Sequence, residues 1–234
     1  MNEHNDNVVS SKKWSLEDIL FTIIFILQFF FIMWLTKSQL TMGMKTSISL
    51  IASIATFALT IFWYKEPLKA QWVSFRATHF WKKIVVAAIL VFGVYLLLSV
   101  TRQVMPLEWL NNGQSADTAD ETLTLFSIIG SIISPLLAPF SEEILFRYVF
   151  IGKTKGKSLQ IVMLFVQAIF FGLIHTMSFG GNPLATIPYM VIALYFGIIY
   201  MISKNIWMTI IIHFLFNASG VVVPIVFLVM MLFK

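Results

Sequence analysis

Apolar runs long enough to cross a lipid bilayer recur along almost the whole of this 234-residue chain. Searching for about 17 to 25 apolar residues between charged or turn residues predicts roughly eight helices. These predicted helices are 19–36, 46–64, 83–105, 123–151, 158–176, 187–203, 206–218 and 219–233. Since 59% of the residues are hydrophobic and only 12% are charged, the chain is too apolar for a soluble domain. The sequence therefore predicts an all-α, polytopic membrane protein with about eight transmembrane helices. Because Gly220 and Pro224 favour a break, one broken helix over 206–233, and hence seven spans, is the alternative.

Lysine and arginine concentrate in alternate connections between the predicted helices, as the positive-inside rule requires. With the N terminus inside, the outer connections contain only Lys37 and Lys45, and the inner connections contain most of the other basic residues. We therefore expect a multi-pass protein of the cell membrane with both termini in the cytoplasm. Because the basic residues flank helices instead of forming one patch, the net charge of +5 does not indicate a nucleic-acid partner.

The predicted organisation has three parts. A cytoplasmic N-terminal segment, 1–18, precedes helices one to three in 19–122 and helices four to eight in 123–234. Residues 65–83 are predicted to form a basic cytoplasmic loop anchored at the lipid headgroups, because this segment combines tryptophan with lysine. Docking of a substrate is the alternative role for that loop. The acidic connection 106–122 is expected on the outer face.

Ionisable side chains are nearly absent from the predicted helices, where each one costs about 2.5 to 3.5 kcal/mol near the bilayer centre. The exceptions lie in three helices of the C-terminal half. They are Glu142, Glu143 and Arg147 in the fourth helix, His175 in the fifth and His213 in the seventh, with the polar Asn217 one turn after His213. Polar groups of this kind also serve as hydrogen bonds between helices. Six of them in three helices favour a functional site within the helix bundle.

Spacing along the fourth helix separates the two glutamates. Glu143 and Arg147 are four residues apart and can form an ion pair on one face. Glu142 points about 100° away, has no partner in its own helix, and is the candidate general base. Counting 1.5 Å per residue from the inner helix ends puts Glu142 and His213 roughly 13 to 17 Å deep and His175 roughly 25 Å deep. For these residues to meet, either the fourth and fifth helices project into the cytoplasm or the fifth helix begins nearer Val162. We expect projection, with the site in the cytoplasmic half of the bilayer.

Local features around the candidate residues give two further expectations. Pro135 and Pro139 are predicted to kink the fourth helix, and Ser141 is predicted to cap its restarted part. Phe171 lies one turn before His175 and is placed to pack against the imidazole ring.

Three short patterns occur in order on the predicted helices: EEILFR at 142–147, FGLIH at 171–175 and HFLFN at 213–217. They resemble the EExxxR, FxxxH and HxxxN motifs of the CAAX-protease and bacteriocin-processing family of intramembrane endopeptidases, also called the Abi family. The resemblance covers about residues 123–218. It implies hydrolysis of a peptide bond inside the membrane by an eight-helix core.

The resemblance also implies roles for the candidate residues. Glu142 would activate a water molecule with the assistance of His175. His213 and Asn217 would stabilise the oxyanion, and Arg147 would support the two glutamates. Amide hydrolysis needs an activated water, a site for developing negative charge and a proton for the leaving amine, and these residue types supply all three.

A metal-dependent site is the alternative on the same atoms. Two histidines and a carboxylate with an open position also form a catalytic zinc set. We expect a site without a metal or other cofactor, and keep zinc bound by Glu142, His175 and His213 as the second possibility. The chain has no cysteine, which excludes a thiolate nucleophile.

The expected partners are membrane lipid and a small membrane-associated peptide or protein substrate. Processing of a peptide pheromone or bacteriocin, or immunity to one, is the substrate class that the resemblance indicates. A non-catalytic immunity or scaffold protein of the same family is one alternative, and an ion or proton carrier that uses the same polar cluster is another. The oligomeric state does not follow from the sequence.

Overall fold

The computed structural model describes residues 13–111 and 125–232, and these residues contain helices and no strand. Most of the predicted N-terminal segment 1–18 and most of the predicted outer connection 106–122 lie outside the described residues. The helices are α1 (Leu16–Lys37), α2 (Met42–Ala77), α3 (Phe80–Val104), α4 (Leu107–Asn111), α5 (Leu125–Glu143), a π-helix (Ile144–Gly152), α6 (Lys157–Ile174), α7 (Ile187–Ser203), α8 (Ile206–Gly220) and α9 (Val222–Leu232). Short 3₁₀ turns at Thr176–Phe179 and Leu184–Thr186 connect α6 to α7.

Six helical segments of the described chain are long and apolar enough to cross a membrane, and α8 with α9 adds a pair bent by 48°. The prediction of an all-α polytopic membrane protein is confirmed. The seventh and eighth predicted helices correspond to this bent pair, so the number of spans is six, or seven with the pair counted as one. The bend lies at Val221, between α8 and α9.

Helix α2 is much longer than the sequence predicts, since it continues through the segment 65–77 that was predicted to be loop. Its backbone is kinked at Tyr64, where φ is −111° and ψ is 15°. Beyond the kink, Leu68, Gln71 and Phe75 are buried at the three-to-four-residue spacing of one helix face. The segment is therefore an amphipathic helix whose apolar face packs on the bundle, and its charges kept the hydropathy low.

Helix α5 runs into the π-helix as one 28-residue apolar segment, Leu125–Gly152, and its two prolines do not divide it. The prediction that Ser141 caps a restarted helix is wrong, because its hydroxyl forms a hydrogen bond of 2.9 Å with Thr60 Oγ1 on α2. Pro139 has no N–H to give to the carbonyl of Pro135. Asn217 Nδ2 on α8 donates to that carbonyl instead, at 2.8 Å, which secures α8 to α5 at the proline.

A second buried carboxylate joins the first helix to the bundle. Asp18 is fully buried, and Lys153 Nζ lies 2.7 Å from its Oδ1 and 2.5 Å from its Oδ2. Tyr64 donates to Oδ1 at 3.1 Å, and the amide and hydroxyl of Ser15 donate to Oδ2 at 2.6 and 2.9 Å. We call Ser15, Asp18, Tyr64 and Lys153 the Asp18 cluster. It fastens α1 to the kink of α2 and to the end of the π-helix.

Around the site residues, α5 packs against α2 and α8, α6 packs against α7, and both α7 and α8 pack against α3. Glu142 and Glu143 end α5, Arg147 lies in the π-helix, and His213 and Asn217 lie on α8. His175 directly follows α6. The predicted site residues are thus carried by adjacent helices of the C-terminal half.

Candidate active site

The predicted ion pair between Glu143 and Arg147 is confirmed. Arg147 Nη1 donates to Glu143 Oε1 at 3.0 Å, and both side chains are fully buried. Arg147 Nη2 donates to the carbonyl of Ala193 on α7 at 3.2 Å. The guanidinium carbon also lies 4.8 Å from the ring centroid of Phe171 and 5.3 Å from that of Phe196, distances at which cation–π attraction stabilises a charge away from water.

Glu143 has a second partner that spacing along its own helix could not reveal. His213 Nδ1 lies 2.8 Å from Glu143 Oε1. A carboxylate accepts the ring N–H, so Nδ1 carries the proton and Nε2 is the nitrogen left for chemistry. Glu143 therefore orients His213 as well as pairing with Arg147.

Glu142 differs from Glu143, which accepts hydrogen bonds from Arg147 and His213 on Oε1 and leaves only its Oε2 without a partner, because no described residue forms a hydrogen bond with the carboxylate of Glu142. Its Oε2 is buried and has no hydrogen-bond partner among the described residues, and its side chain is only 12% exposed. The ionisable group that approaches this oxygen is His213, whose Nε2 is 3.7 Å from Glu142 Oε2. A polar contact of that length is one that a bridging water completes.

His175 is held by three aromatic and backbone contacts at the end of α6. Its Nδ1 lies 2.7 Å from the carbonyl oxygen of Phe171, which makes Nδ1 the protonated nitrogen and leaves Nε2 free. The ring centroid lies 4.9 Å from that of Phe171 and 4.7 Å from that of Tyr189. The predicted contact between Phe171 and His175 is therefore confirmed, and the ring of His175 is oriented from both sides.

Phe171 also shows how the two histidines converge. Its ring centroid lies 5.8 Å from that of His213 and 4.9 Å from that of His175. His175 and Glu142 are close enough to interact electrostatically. His175 follows the last residue of an 18-residue helix, whereas His213 is the middle residue of the 15-residue helix α8. Helices α6 and α8 are therefore staggered or tilted relative to each other, which removes the depth mismatch of the straight-helix count.

Asn217 is the predicted site residue whose side chain has a structural hydrogen bond of its own. The resemblance implies that it joins His213 at the oxyanion. Its amide nitrogen instead donates to the carbonyl of Pro135, the acceptor that Pro139 leaves without a helical partner. Asn217 thus holds α8, and with it His213, against α5.

The π-helix begins directly after Glu143 and continues for nine residues. Extended π-helices are rare and occur frequently at functional sites. Sequence reasoning also missed Tyr189 and Phe196, the second of which packs at 5.2 Å against His213. Both lie on α7, where no ionisable residue drew attention, and aromatic residues are too common in this chain to serve as a signal.

The metal-binding alternative can be tested on the donor geometry. Within residues 13–111 and 125–232, no three histidine, cysteine, aspartate or glutamate side chains form a group that could hold a metal ion. A catalytic zinc needs three protein ligands around one point. Glu142, His175 and His213, as they are placed, do not provide that arrangement.

Comparison with known protein families identifies a match in the C-terminal half of the chain. Residues 124–219 match a family described as Type II CAAX prenyl endopeptidase Rce1-like. No curated protein and no solved structure gives a significant match. The matched segment almost coincides with the segment predicted from the three motifs, and it contains all six candidate residues.

Proposed function

We propose that the chain is a member of the CAAX-protease family of membrane endopeptidases, whose family model its residues 124–219 match, and that it hydrolyses a peptide bond with a water molecule activated by Glu142. The protein is a multi-pass membrane protein. The observation that carries the proposal is the buried, unpartnered Oε2 of Glu142 facing His213 Nε2 across 3.7 Å. A carboxylate left without a partner beside a histidine provides an acceptor for a proton of water.

The proposed reaction uses Glu142 first as a base and then as an acid. Glu142 takes a proton from the water as its oxygen attacks the carbonyl carbon of the substrate. When the C–N bond breaks, the same carboxyl group gives that proton to the leaving amine, so the products are a carboxylic acid and an amine. General acid–base catalysis of this kind contributes about 10²- to 10⁴-fold in rate.

His213 is proposed to stabilise the oxyanion in its protonated form. Glu143 accepts its Nδ1–H and offsets the positive charge of the imidazolium ring. The second proton, on Nε2, is then available to the tetrahedral intermediate. Arg147 neutralises Glu143 from the other side, so the pair Glu143 and Arg147 supports His213 without contacting the substrate.

His175 is proposed to orient the attacking water. Its Nδ1 is committed to the Phe171 carbonyl, so Nε2 presents a lone pair that accepts a hydrogen bond. Stacking against Tyr189 limits rotation of the ring. We propose that this site operates without a bound metal, because the three candidate donors do not form a ligand group.

The proposed substrate is a small membrane-associated peptide or protein. A site enclosed by apolar helices is reached from the bilayer or its surface, which suits a substrate that is itself bound to the membrane. Among such substrates, peptide pheromones and bacteriocins are the class that the three motifs favour. We further propose that the protein resides in the cell membrane with its lysine-rich helix ends and both termini in the cytoplasm.

The test is cleavage by the purified full-length protein in liposomes. The probe is a library of quenched fluorescent peptides that are anchored to the liposome by an acyl chain. We expect Glu142→Gln to lower the cleavage rate by about 10²- to 10⁴-fold with unchanged thermal unfolding. The matched control is Glu66→Gln, which changes an exposed glutamate of α2 and should keep full activity.

Two results would contradict the proposal. Cleavage that survives Glu142→Gln would remove Glu142 from the role of base. A wild-type protein that cleaves no library member, together with an immunity phenotype that survives alanine at both Glu142 and Glu143, would favour a non-catalytic scaffold.

A further inference from the structure

A large cavity lies at one end of the helix bundle, away from the candidate active site. Its volume is about 1020 Å³. Its walls come from the last turns of α2, of the π-helix and of α7, and from the first turns of α3, α6 and α8. None of the six candidate residues lines it. Its nearest point on α8 is Met208, five residues or roughly 8 Å before His213.

The charge of this cavity has one sign. Lys83, Lys157 and Lys204 line it, and no aspartate or glutamate does. Two of the three N–H bonds of the Lys83 ammonium group are directed to the Phe75 carbonyl at 2.7 Å and the Thr78 hydroxyl at 3.2 Å, so one remains. Lys157 and Lys204 are exposed. The cavity therefore presents three positive charges to whatever enters it.

Two buried donors in the cavity wall have no partner among the described residues. Gln71 is 2% exposed and Tyr200 is 3% exposed, and both line the cavity. The backbone N–H of Ile206 donates to Gln71 Oε1 at 2.7 Å, which identifies the other amide atom as the donor Nε2. Gln71 Nε2 and the Tyr200 hydroxyl are both unpartnered. A buried donor without an acceptor costs about 1 to 3 kcal/mol, so both donors call for an acceptor that the ligand supplies.

The backbone at Lys204 is a further observation at the same cavity. Lys204 ends α7 with φ of 49° and ψ of 29°, a left-handed conformation that glycine and asparagine adopt more easily. A lysine here is not the choice that the backbone favours. Its charge at the cavity mouth gives a reason for its presence.

We propose that this cavity binds a phosphate-bearing anion, with the headgroup of an acidic phospholipid as the source that its position favours. Three ammonium groups and two neutral donors match the charge and the acceptor oxygens of a phosphate group. The apolar side chains of Phe75, Ile161 and Met208 in the same wall suit the glycerol and acyl part of a lipid. Basic cavities between transmembrane helices on the cytoplasmic side bind such headgroups.

Free inorganic phosphate offers the same chemistry, so the experiment separates the two sources. The full-length protein in neutral detergent is given phosphatidylglycerol, phosphatidylcholine or inorganic phosphate, and bound species are counted by native mass spectrometry. We expect one tightly held phosphatidylglycerol and weaker retention of phosphatidylcholine. Competition by millimolar inorganic phosphate would identify free phosphate as a ligand of the same site, and failure to compete would identify the lipid.

Two variants test the site without endangering the fold. Lys204→Gly puts the favoured residue at a left-handed position, and Tyr200→Phe removes a hydroxyl that no described residue uses. Each should weaken binding of phosphatidylglycerol about tenfold or more while thermal unfolding is unchanged or higher. The control for charge is Lys155→Gly, which changes a lysine of the same bundle end that does not line the cavity.

The proposal is overturned if neither phosphatidylglycerol nor phosphate binds above the level of phosphatidylcholine. It is also overturned if both variants bind phosphatidylglycerol as well as the wild-type protein does. Neither outcome depends on peptidase activity, so this test is independent of the proposed function.

Discussion

The Asp18 cluster and the candidate active site both bury a carboxylate beside a cation, but they differ in how many acceptor positions remain. In the Asp18 cluster both carboxylate oxygens are occupied, by Lys153, Tyr64 and Ser15. In the active site, Arg147 and His213 both contact Oε1 of Glu143, and its Oε2 is buried without a partner among the described residues. Glu142, one residue earlier in the chain, keeps a buried oxygen without a partner.

This difference separates a structural charge from a reactive one. Removing a charge from water is unfavourable, and complete pairing offsets much of that loss. The Asp18 cluster is complete and joins three segments of the chain. In the active site both glutamates keep a buried Oε2 without a partner, but Glu143 is paired through Oε1 with Arg147 and His213, whereas the closest approach to Glu142 Oε2 is His213 Nε2 at 3.7 Å. The carboxylate oxygen of Glu142 has no partner and lies beside a histidine that is already oriented. This arrangement is the one expected where a water molecule must bind and react.

The largest effect is expected from Glu143→Gln. It leaves Arg147 buried without its ion-pair partner, and removal of one partner of a buried pair costs about 3 to 5 kcal/mol. Stability should fall by that amount in thermal or denaturant unfolding of the detergent-solubilised protein, and cleavage should be lost with it. A control is Glu143→Leu with Arg147→Met, which removes both charges and should recover most of the stability without activity. If Glu143→Gln unfolds like the wild type, Glu143 is not the structural charge described here.

Asp18→Asn should cost less stability and should not affect the chemistry. The substitution retains the shape but weakens the hydrogen bonds from Lys153, Tyr64 and Ser15, and a hydrogen bond to a charged group contributes about 1.5 to 3 kcal/mol. The folded protein should cleave at the wild-type rate per molecule. Glu17→Gln, at the exposed neighbouring position, is the control and should unfold like the wild type. A cleavage rate that drops as far as for Glu142→Gln would erase the distinction between the two clusters.

Asn217→Ala should have a smaller effect than Asp18→Asn. It too should change the stability of the fold more than the cleavage rate. It leaves the Pro135 carbonyl without a partner, which costs about 1 to 3 kcal/mol. The cleavage rate should fall less than tenfold, because Asn217 acts by holding α8 in place. Loss of an oxyanion donor would instead lower the rate by about 10²- to 10³-fold with little change in unfolding. Measuring both quantities on one preparation decides between the role implied by the resemblance and the role that the contact with Pro135 indicates.

Hydropathy and residue spacing predicted the helical architecture and the ion pair within one helix, because each depends on local sequence. Helix α1 was predicted at 19–36 and is Leu16–Lys37, and α3 was predicted at 83–105 and is Phe80–Val104. The ion pair of Glu143 with Arg147 follows from four-residue spacing alone. Helix α2 was predicted to end 13 residues too early, because its amphipathic end carries enough charge to lower the hydropathy.

Contacts between residues far apart in the chain could not be predicted from the sequence. His213 and Glu143 are 70 residues apart, and Asn217 and Pro135 are 82 apart, so no local spacing connects them. The π-helix at Ile144–Gly152 has no residue pattern that distinguishes it from an α-helix. The Asp18 cluster was missed although Ser15 and Asp18 form the sequence pattern of a capping box, since Lys153 was counted only as a topology signal.

The smallest effect is expected from metal removal, and it is the direct test of the open position at Glu142. A zinc ion on Glu142 and the two histidines would fill that oxygen, and Glu142 would then be fully coordinated as Asp18 is. The donors of the described chain do not form such a group. Treatment of the purified protein with a zinc chelator should therefore change the cleavage rate less than twofold, and elemental analysis should find much less than one zinc per chain. Activity that disappears with the chelator and returns with added zinc would show that Glu142 is a zinc ligand. Glu142 would then differ from Asp18 because it binds a metal, and not because its oxygen is free to accept a hydrogen bond from water.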